Sequence, residues 1–148
     1  MKASLAVGIA VLALTSAVRA EPVRDVPIQP HAPPLSQYLD EDWMLPVSSS
    51  LLRPGAVTPR ALDMPGLRPF FLLGSDPRSL SWLRKNSPRL QAIGAVGLAV
   101  EVANIEALTR IRAAAPGLVI LPVSGDDIAA RLQISHYPVL VTATTLTQ

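Results

Sequence analysis

Cysteine is absent from this 148-residue chain. The absence excludes thiol catalysis, disulfide exchange, cysteine-ligated zinc and lipoprotein acylation. Histidine is almost as scarce, because His31 and His136 are the two copies, and they lie in unrelated sequence contexts. Neither histidine has an acidic residue at ligand spacing, so we expect neither a metal site nor a catalytic triad.

Phosphate-binding and hydrolase motifs are also missing. Gly94 and Gly97 lie beside or inside a predicted strand and do not form a glycine-rich phosphate loop. No serine has the G-x-S-x-G context of a nucleophile. The acidic pair Asp126 and Asp127 lies at a predicted helix start, where acids complement the helix dipole. We therefore predict no catalytic residue, no cofactor and no metal ligand, and expect that the protein is not an enzyme.

A basic cluster is lacking as well. The chain has 13 Lys and Arg against 11 Asp and Glu, but Lys2 and Arg19 lie in the first 20 residues. Without that segment the basic count is 13 − 2 = 11, equal to the acidic count, and ten of these 11 are arginines spread singly along the chain. We expect no nucleic-acid partner.

Residues 1–20 have the pattern of a secretory signal peptide. Lys2 gives a short positive start, residues 3–17 are apolar, and Val18 and Ala20 are small residues at the −3 and −1 positions of a cleavage site. Fifteen apolar residues are few for a bilayer span. We expect export with cleavage before Glu21 and no membrane span afterwards; an uncleaved anchor is the alternative.

Residues 21–67 are predicted to form an irregular arm. Ten of the 15 prolines lie in residues 21–69, a density that excludes long helices and central strands. Tyr38 and Trp43 flank an acidic run at residues 40–42. Two interpretations stay open: the arm covers a surface of the following domain, or it becomes ordered on a partner protein.

Residues 68–148 are predicted to form an α/β domain with the order βαβαβαβ. Apolar runs predict strands at residues 69–73, 95–102 and 118–122 and from residue 139 onwards. Asp76, Asn104 and Ser124 precede the helical patterns, and Pro88 predicts a kink or break near Ser87. Nearly continuous apolar strands favour a mostly parallel sheet that is covered on both faces.

The loop before the fourth strand carries the least common pattern. His136, Tyr137 and Pro138 precede the apolar residues 139–141. Proline fits the first position of a strand, and an aromatic residue before it favours a cis peptide bond. His136 is either a packed, loop-capping residue or a contact to a partner.

This element order, with Tyr-Pro before a strand, resembles the thioredoxin-like fold. The resemblance implies that the proline loop faces a redox motif, which by element order falls at residues 102–105; that stretch is VANI, so no redox role is implied. The usual final hairpin strand and helix are expected to be missing. Their loss predicts an open sheet edge, through which the chain pairs with another copy.

More closely, the chain is similar to a family of uncharacterised integrating conjugative element proteins of bacteria. The similarity lies in the leader, in AVGLAVEV at residues 95–102, in DDIAARL at 126–132 and in HYPVLVTAT at 136–144. It implies a periplasmic accessory part of a mating-pair or type IV secretion apparatus, with other envelope proteins of that apparatus as partners. It implies no catalytic residues.

The sequence therefore predicts a thioredoxin-like domain without redox cysteines, which acts by protein–protein binding. The expected contact residues are Tyr38, Trp43, His136, Tyr137 and Pro138. Two rival hypotheses remain at this point: an envelope enzyme or chaperone that works through His136 or the two adjacent aspartates, and a soluble periplasmic ligand-binding domain.

Overall fold

The computed structural model describes residues 41–148. The predicted signal peptide, His31 and Tyr38 lie outside the described residues. The described part begins with a 3-10 turn at Asp42–Met44. Three helices follow, α1 (Pro77–Ala92), α2 (Ile105–Ala114) and α3 (Asp126–Leu132). The strands are β1 (Arg53–Pro54), β2 (Arg60–Ala61), β3 (Phe70–Gly74), β4 (Val96–Glu101), β5 (Ile120–Pro122), β6 (His136–Tyr137), β7 (Val139–Val141) and β8 (Thr145–Thr147).

The predicted alternation is confirmed as β3, α1, β4, α2, β5, α3 and β7. Two helices begin at the predicted caps: the side chain of Asp76 accepts a hydrogen bond from the Ser79 amide, and that of Asn104 accepts one from the Ala107 amide. Of the two outcomes predicted near Ser87, a kink or a break, the break does not occur, because α1 continues through Pro88 to Ala92. Proline removes one helical hydrogen bond. Burial of leucines on both sides of Pro88 compensates for that loss.

The main sheet has six strands in the order β2-β8-β7-β3-β4-β5. Strand β3 runs parallel to β4, and β4 runs parallel to β5. The other three pairings, β3 with β7, β7 with β8 and β2 with β8, are antiparallel. The prediction of a mostly parallel sheet is therefore wrong: the fold is a mixed α/β sheet with helices. Strand β7 is buried on both faces, and such a strand is continuously apolar whether it runs parallel or antiparallel to its neighbour. Its composition therefore does not reveal its orientation.

The final hairpin strand is present, contrary to the sequence prediction. The chain turns at residues 142–145, where the Thr142 amide donates to the Thr145 carbonyl at 2.9 Å, and β8 pairs with β7. Strand β2 of the arm covers the outer side of β8, so the edge that was expected to be open is occupied. At the opposite edge, the Arg112 guanidinium donates to the Ile120 carbonyl of β5, and Pro122 has no amide hydrogen.

Apolar side chains pack on both faces of the sheet. One cluster joins Phe71 and Leu73 to the inner sides of α1 and α2. The other joins Leu72 and Val100 to α3, to the loop after it and to Leu52 of the arm. Residues 41–67 thus pack as part of the fold, which favours the interpretation that this part of the arm covers the domain. Within residues 41–148, no helix has the length and apolar character needed to cross a membrane.

Candidate partner-binding site

Three of the predicted contact residues lie in the loop that follows α3. Gln133 ends that helix in the left-handed conformation, with φ 52° and ψ 48°. The Ile134 amide then donates to the Ala129 carbonyl at 3.0 Å, and the Tyr137–Pro138 peptide bond is cis. Strand β6 of the loop pairs in parallel with β1 of the arm, with His136 opposite Arg53. The loop is therefore held from both sides.

Tyr137 and Pro138 form the buried side of this loop. Tyr137 is only 3% exposed, and its ring lies against Gly74, where an added β-carbon would be 2.6 Å from Cε2. Burial, reinforced by the negative charges of Asp76 and Glu101, raises the pKa of the Tyr137 phenol to about 12. The phenol is neutral at physiological pH. Tyr137 therefore fixes the shape of the loop from beneath and offers little area to a partner.

This arrangement also shows which helix the proline loop faces. Tyr137 contacts the residues that lead into α1, including Gly74 and Asp76. The sequence argument had placed the facing segment at residues 102–105, before α2. The negative charge of Glu101, which directly precedes that segment, also acts on Tyr137, so the placement stays a prediction.

His136 is the partly exposed member of the loop. Its Nδ1 lies 3.0 Å from the Ser135 hydroxyl. The imidazole packs directly on the backbone of Gly55, where an added β-carbon would be 2.3 Å from Cδ2. Gly55 itself is held by Gln148, whose amide nitrogen donates to the carbonyls of Gly55 and Pro138 at 2.8 and 2.9 Å. The arm thus fixes the histidine ring at the surface.

A cavity of about 220 Å³ opens beside His136. Its polar lining includes Arg60, Thr58 and Ser135, and none of the acidic side chains of residues 41–148 lines it. The Arg60 guanidinium donates to the carbonyl of Leu132 at the end of α3. A second cavity of about 370 Å³ is adjacent and shares Arg60 and Gln133 with the first; we call these two adjacent cavities the groove.

Residues 47–52 of the arm, which we call the strap, cross the carboxyl ends of the parallel strands. Val47 and Val102 exchange two backbone hydrogen bonds of 2.9 Å. The Ser49 hydroxyl donates to the Val100 carbonyl at 2.7 Å, and the Ser49 amide donates to Glu101. In open α/β sheets, ligands usually bind in the crevice outside these strand ends. Here the strap lies against the carboxyl end of β4.

Asp126 holds the other end of the strap. Its carboxylate accepts hydrogen bonds from the Leu51 amide at 2.9 Å and from the amide and hydroxyl of Ser50. These bonds, led by the one from the Leu51 amide, keep the pKa of Asp126 below its ordinary value. Asp127 pairs with Arg131 four residues later. Both aspartates lie in the first turn of α3, where the sequence placed them, and Asp126 also tethers the strap.

Trp43 is the most exposed large apolar side chain in the described part, at 81%. The backbone around it is anchored: Glu41 forms a salt bridge with Arg112, and Leu45 packs against the core. The same Arg112 binds the β5 carbonyl of Ile120, so Trp43 is tied to the sheet edge that also exposes Val119 and Leu121. Such an edge presents apolar area without a neighbour among residues 41–148.

Sequence reasoning missed Arg60, Ser49 and the tether made by Asp126. Each acts through a contact with a residue more than 50 positions away, and no local pattern reports such contacts. Within residues 41–148, no group of three or more acidic or histidine side chains is placed to hold a metal ion.

A family model described as "Protein of unknown function (DUF2859)" matches residues 7–146 of the chain. No curated protein and no solved structure matches the chain.

Proposed function

We propose that this chain, which belongs to the DUF2859 family of proteins of unknown function, is a non-catalytic binding component of a conjugation apparatus. In this proposal the protein is exported to the periplasm by residues 1–20. It is an accessory part of the mating-pair or type IV secretion machinery of an integrating conjugative element. The assignment to that machinery rests on the resemblance in residues 95–102, 126–132 and 136–144.

Trp43 carries the binding part of the proposal. A tryptophan that is 81% exposed in a segment anchored by a salt bridge presents a large, rigid apolar surface to solvent. Tryptophan is enriched among the residues that dominate protein–protein binding energies, because its burial removes a large apolar area from water. Val119 and Leu121 flank Ile120, whose carbonyl accepts a hydrogen bond from Arg112, and they expose further apolar area at this edge of the sheet. We take these three side chains to be the centre of the contact and His136 to mark a second contact.

Two features support binding over catalysis. The strap lies at the carboxyl end of β4, and open α/β sheets usually bind their substrates outside such strand ends; hydrogen bonds from Ser49 and to Asp126 hold the strap there. The two aspartates of the rival enzyme hypothesis are both engaged, Asp126 with the strap and Asp127 with Arg131. Both carboxylates are therefore engaged in contacts within the fold.

A thioredoxin-like topology is the finer part of the fold proposal. Strand β3 lies between parallel β4 and antiparallel β7, β8 follows β7 in a hairpin, and a cis proline precedes β7. This arrangement supports a thioredoxin-like core in which β5, α3 and the arm are additions. The segment facing the cis proline is the start of α1, where Asp76 accepts a 2.7 Å hydrogen bond from the Ser79 hydroxyl in place of cysteine chemistry.

Co-purification from the envelope of the host tests the proposal. Affinity-tagged full-length protein is compared with Trp43→Ala and with Leu51→Ala, a matched variant that removes a half-exposed apolar side chain from the same arm. We expect Trp43→Ala to lose the co-purifying apparatus proteins while Leu51→Ala keeps them. Equal recovery from both variants, at equal protein levels, rules out the Trp43 surface as the binding site.

A further inference from the structure

The groove beside His136 combines one fixed cation with uncharged donors. Arg60 stands at its centre, shared by both cavities. One Nη atom of Arg60 donates to the Leu132 carbonyl, which fixes the guanidinium in place, and the structure gives its remaining nitrogens no acceptor within residues 41–148. A guanidinium in a fixed position matches the two oxygens of a carboxylate.

The electrostatic surroundings favour a single negative charge. The first cavity has hydroxyl donors in Thr58 and Ser135 and, within the described part of the chain, no acidic lining residue. Asp63 lies in the second cavity, where Arg131, already paired with Asp127, also lines the wall. The first cavity is thus the cationic end of the groove, and its one arginine is sufficient for a monoanion.

Aliphatic side chains also line the first cavity. They belong to Val57, Ile134 and Leu146, and the cavity volume of about 220 Å³ corresponds to roughly seven water molecules at about 30 Å³ each. This space suits one small or medium aliphatic side chain beside the carboxylate. The second cavity, which shares Arg60 with the first, offers adjacent space for the preceding residues of the bound chain.

We propose that this groove binds the C-terminal carboxylate of a partner polypeptide, with the carboxylate on Arg60 and the last side chain against Val57 and Ile134. This inference rests on the proposed role in protein–protein binding and names the part of the partner that is recognised. Capture of a chain end by fixed donors is an established mode of peptide recognition.

Peptide titration tests this inference. The full-length ¹⁵N-labelled protein is titrated with acetyl-Ala-Ala-Val as the free acid, with the same tripeptide amidated at its C-terminus, and with butyrate. We expect the free acid to shift the amide resonances of Thr58, Arg60 and Ser135, and the amidated peptide to bind at least about tenfold more weakly because it has lost the charged hydrogen bond.

Three variants sharpen the test. Arg60→Gln is expected to weaken binding of the free acid at least about tenfold. Arg84→Gln, which removes an exposed arginine on α1, is expected to leave binding unchanged. Ala56→Leu fills the cavity without touching Arg60 and is expected to abolish binding. Trp43→Ala should keep the affinity for the peptide. Failure of this inference can therefore be distinguished from failure of the proposed function, which depends on Trp43.

The inference is overturned by any of three results. The first is that the amidated tripeptide binds as tightly as the free acid. The second is that Arg60→Gln and Arg84→Gln both fold and bind the free acid equally well. The third is that butyrate binds as tightly as the tripeptide, which would assign the groove to free carboxylic acids.

Discussion

Replacing Leu52 with alanine tests whether the strap is part of the folded core. Leu52 belongs to the proline-rich arm, yet it is 4% exposed and packs with the cluster that contains Leu72 and Val100. Leucine to alanine removes about three buried carbon groups, each worth about 0.8 kcal/mol. The cavity left behind adds to this cost. We expect the free energy of unfolding to fall by about 2–4 kcal/mol.

Urea denaturation followed by circular dichroism measures this loss, and Leu51→Ala is the matched control. Leu51 is the neighbouring residue and is 51% exposed, so its removal should change the free energy of unfolding by less than about 0.5 kcal/mol. With an m-value of about 1–3 kcal/mol/M, Leu52→Ala should lower the urea midpoint by roughly 1–2 M. Equal midpoints for the two variants would refute the view that the strap packs into the core.

Three further predictions concern the sheet and the titrating groups. Gly97→Ala should lower the free energy of unfolding by about 1–3 kcal/mol in thermal or urea denaturation, because the added β-carbon would lie 2.6 Å from Cζ of Phe71. Tyr137→Phe should reduce the loss of stability at alkaline pH. Between the ordinary phenol pKa of 10.0 and the folded value of about 12, the phenol of the unfolded chain releases a proton that the folded chain keeps. The free energy of unfolding of the wild type should therefore fall by on the order of 2 kcal/mol over this pH range. Asp126→Asn should lower the free energy of unfolding at neutral pH and make it depend less on pH under acid conditions. The depressed pKa of this carboxyl contributes stability at pH values above 3.8, and this contribution is lost as the pH falls through the folded pKa.

Each of these has a contradicting outcome. Unchanged stability of Gly97→Ala would mean that the sheet has room at this position. Parallel alkaline curves for wild type and Tyr137→Phe would mean that the phenol is not desolvated. An acid limb that is the same in Asp126→Asn and wild type would mean that the strap does not depend on the charge of this residue.

Local signals explain why much of the fold could be predicted from the sequence. Asp76 and Asn104 each cap a helix by accepting a hydrogen bond from an amide three residues later, a contact that sequence spacing encodes directly. Leu83 and Leu108 lie on the apolar faces of α1 and α2 and are fully buried. A 3.6-residue period and a capping residue are sufficient for such predictions.

Strand direction and long-range pairing could not be predicted in the same way. Residues 139–141 are buried in either orientation, so hydrophobicity does not separate the observed antiparallel pairing with β3 from a parallel one. The short strand at residues 145–147 is rich in threonine and follows a turn without glycine, so no hairpin signal marked it. Its pairing with Arg60 and Ala61 of the arm depends on residues more than 80 positions away.

The candidate site was likewise predictable from the sequence only in part. His136 was recognised from its position before Tyr-Pro, and the structure places it at a surface groove. Tyr137, from the same motif, is buried, because alternation in β6 turns successive side chains to opposite sides. Arg60 looked like one of several single arginines until the fold placed it at the end of α3. Charge alone did not distinguish it from Arg84 or Arg53.

Transfer frequency of the host mobile element, measured after clean deletion of this gene, tests the central proposal most directly. The deletion strain is complemented with the wild-type gene, with Trp43→Ala or with Leu51→Ala, and protein levels are compared. We expect transfer to be lost on deletion, restored by wild type and by Leu51→Ala, and not restored by Trp43→Ala. Unchanged transfer in the deletion strain would contradict a role in conjugation.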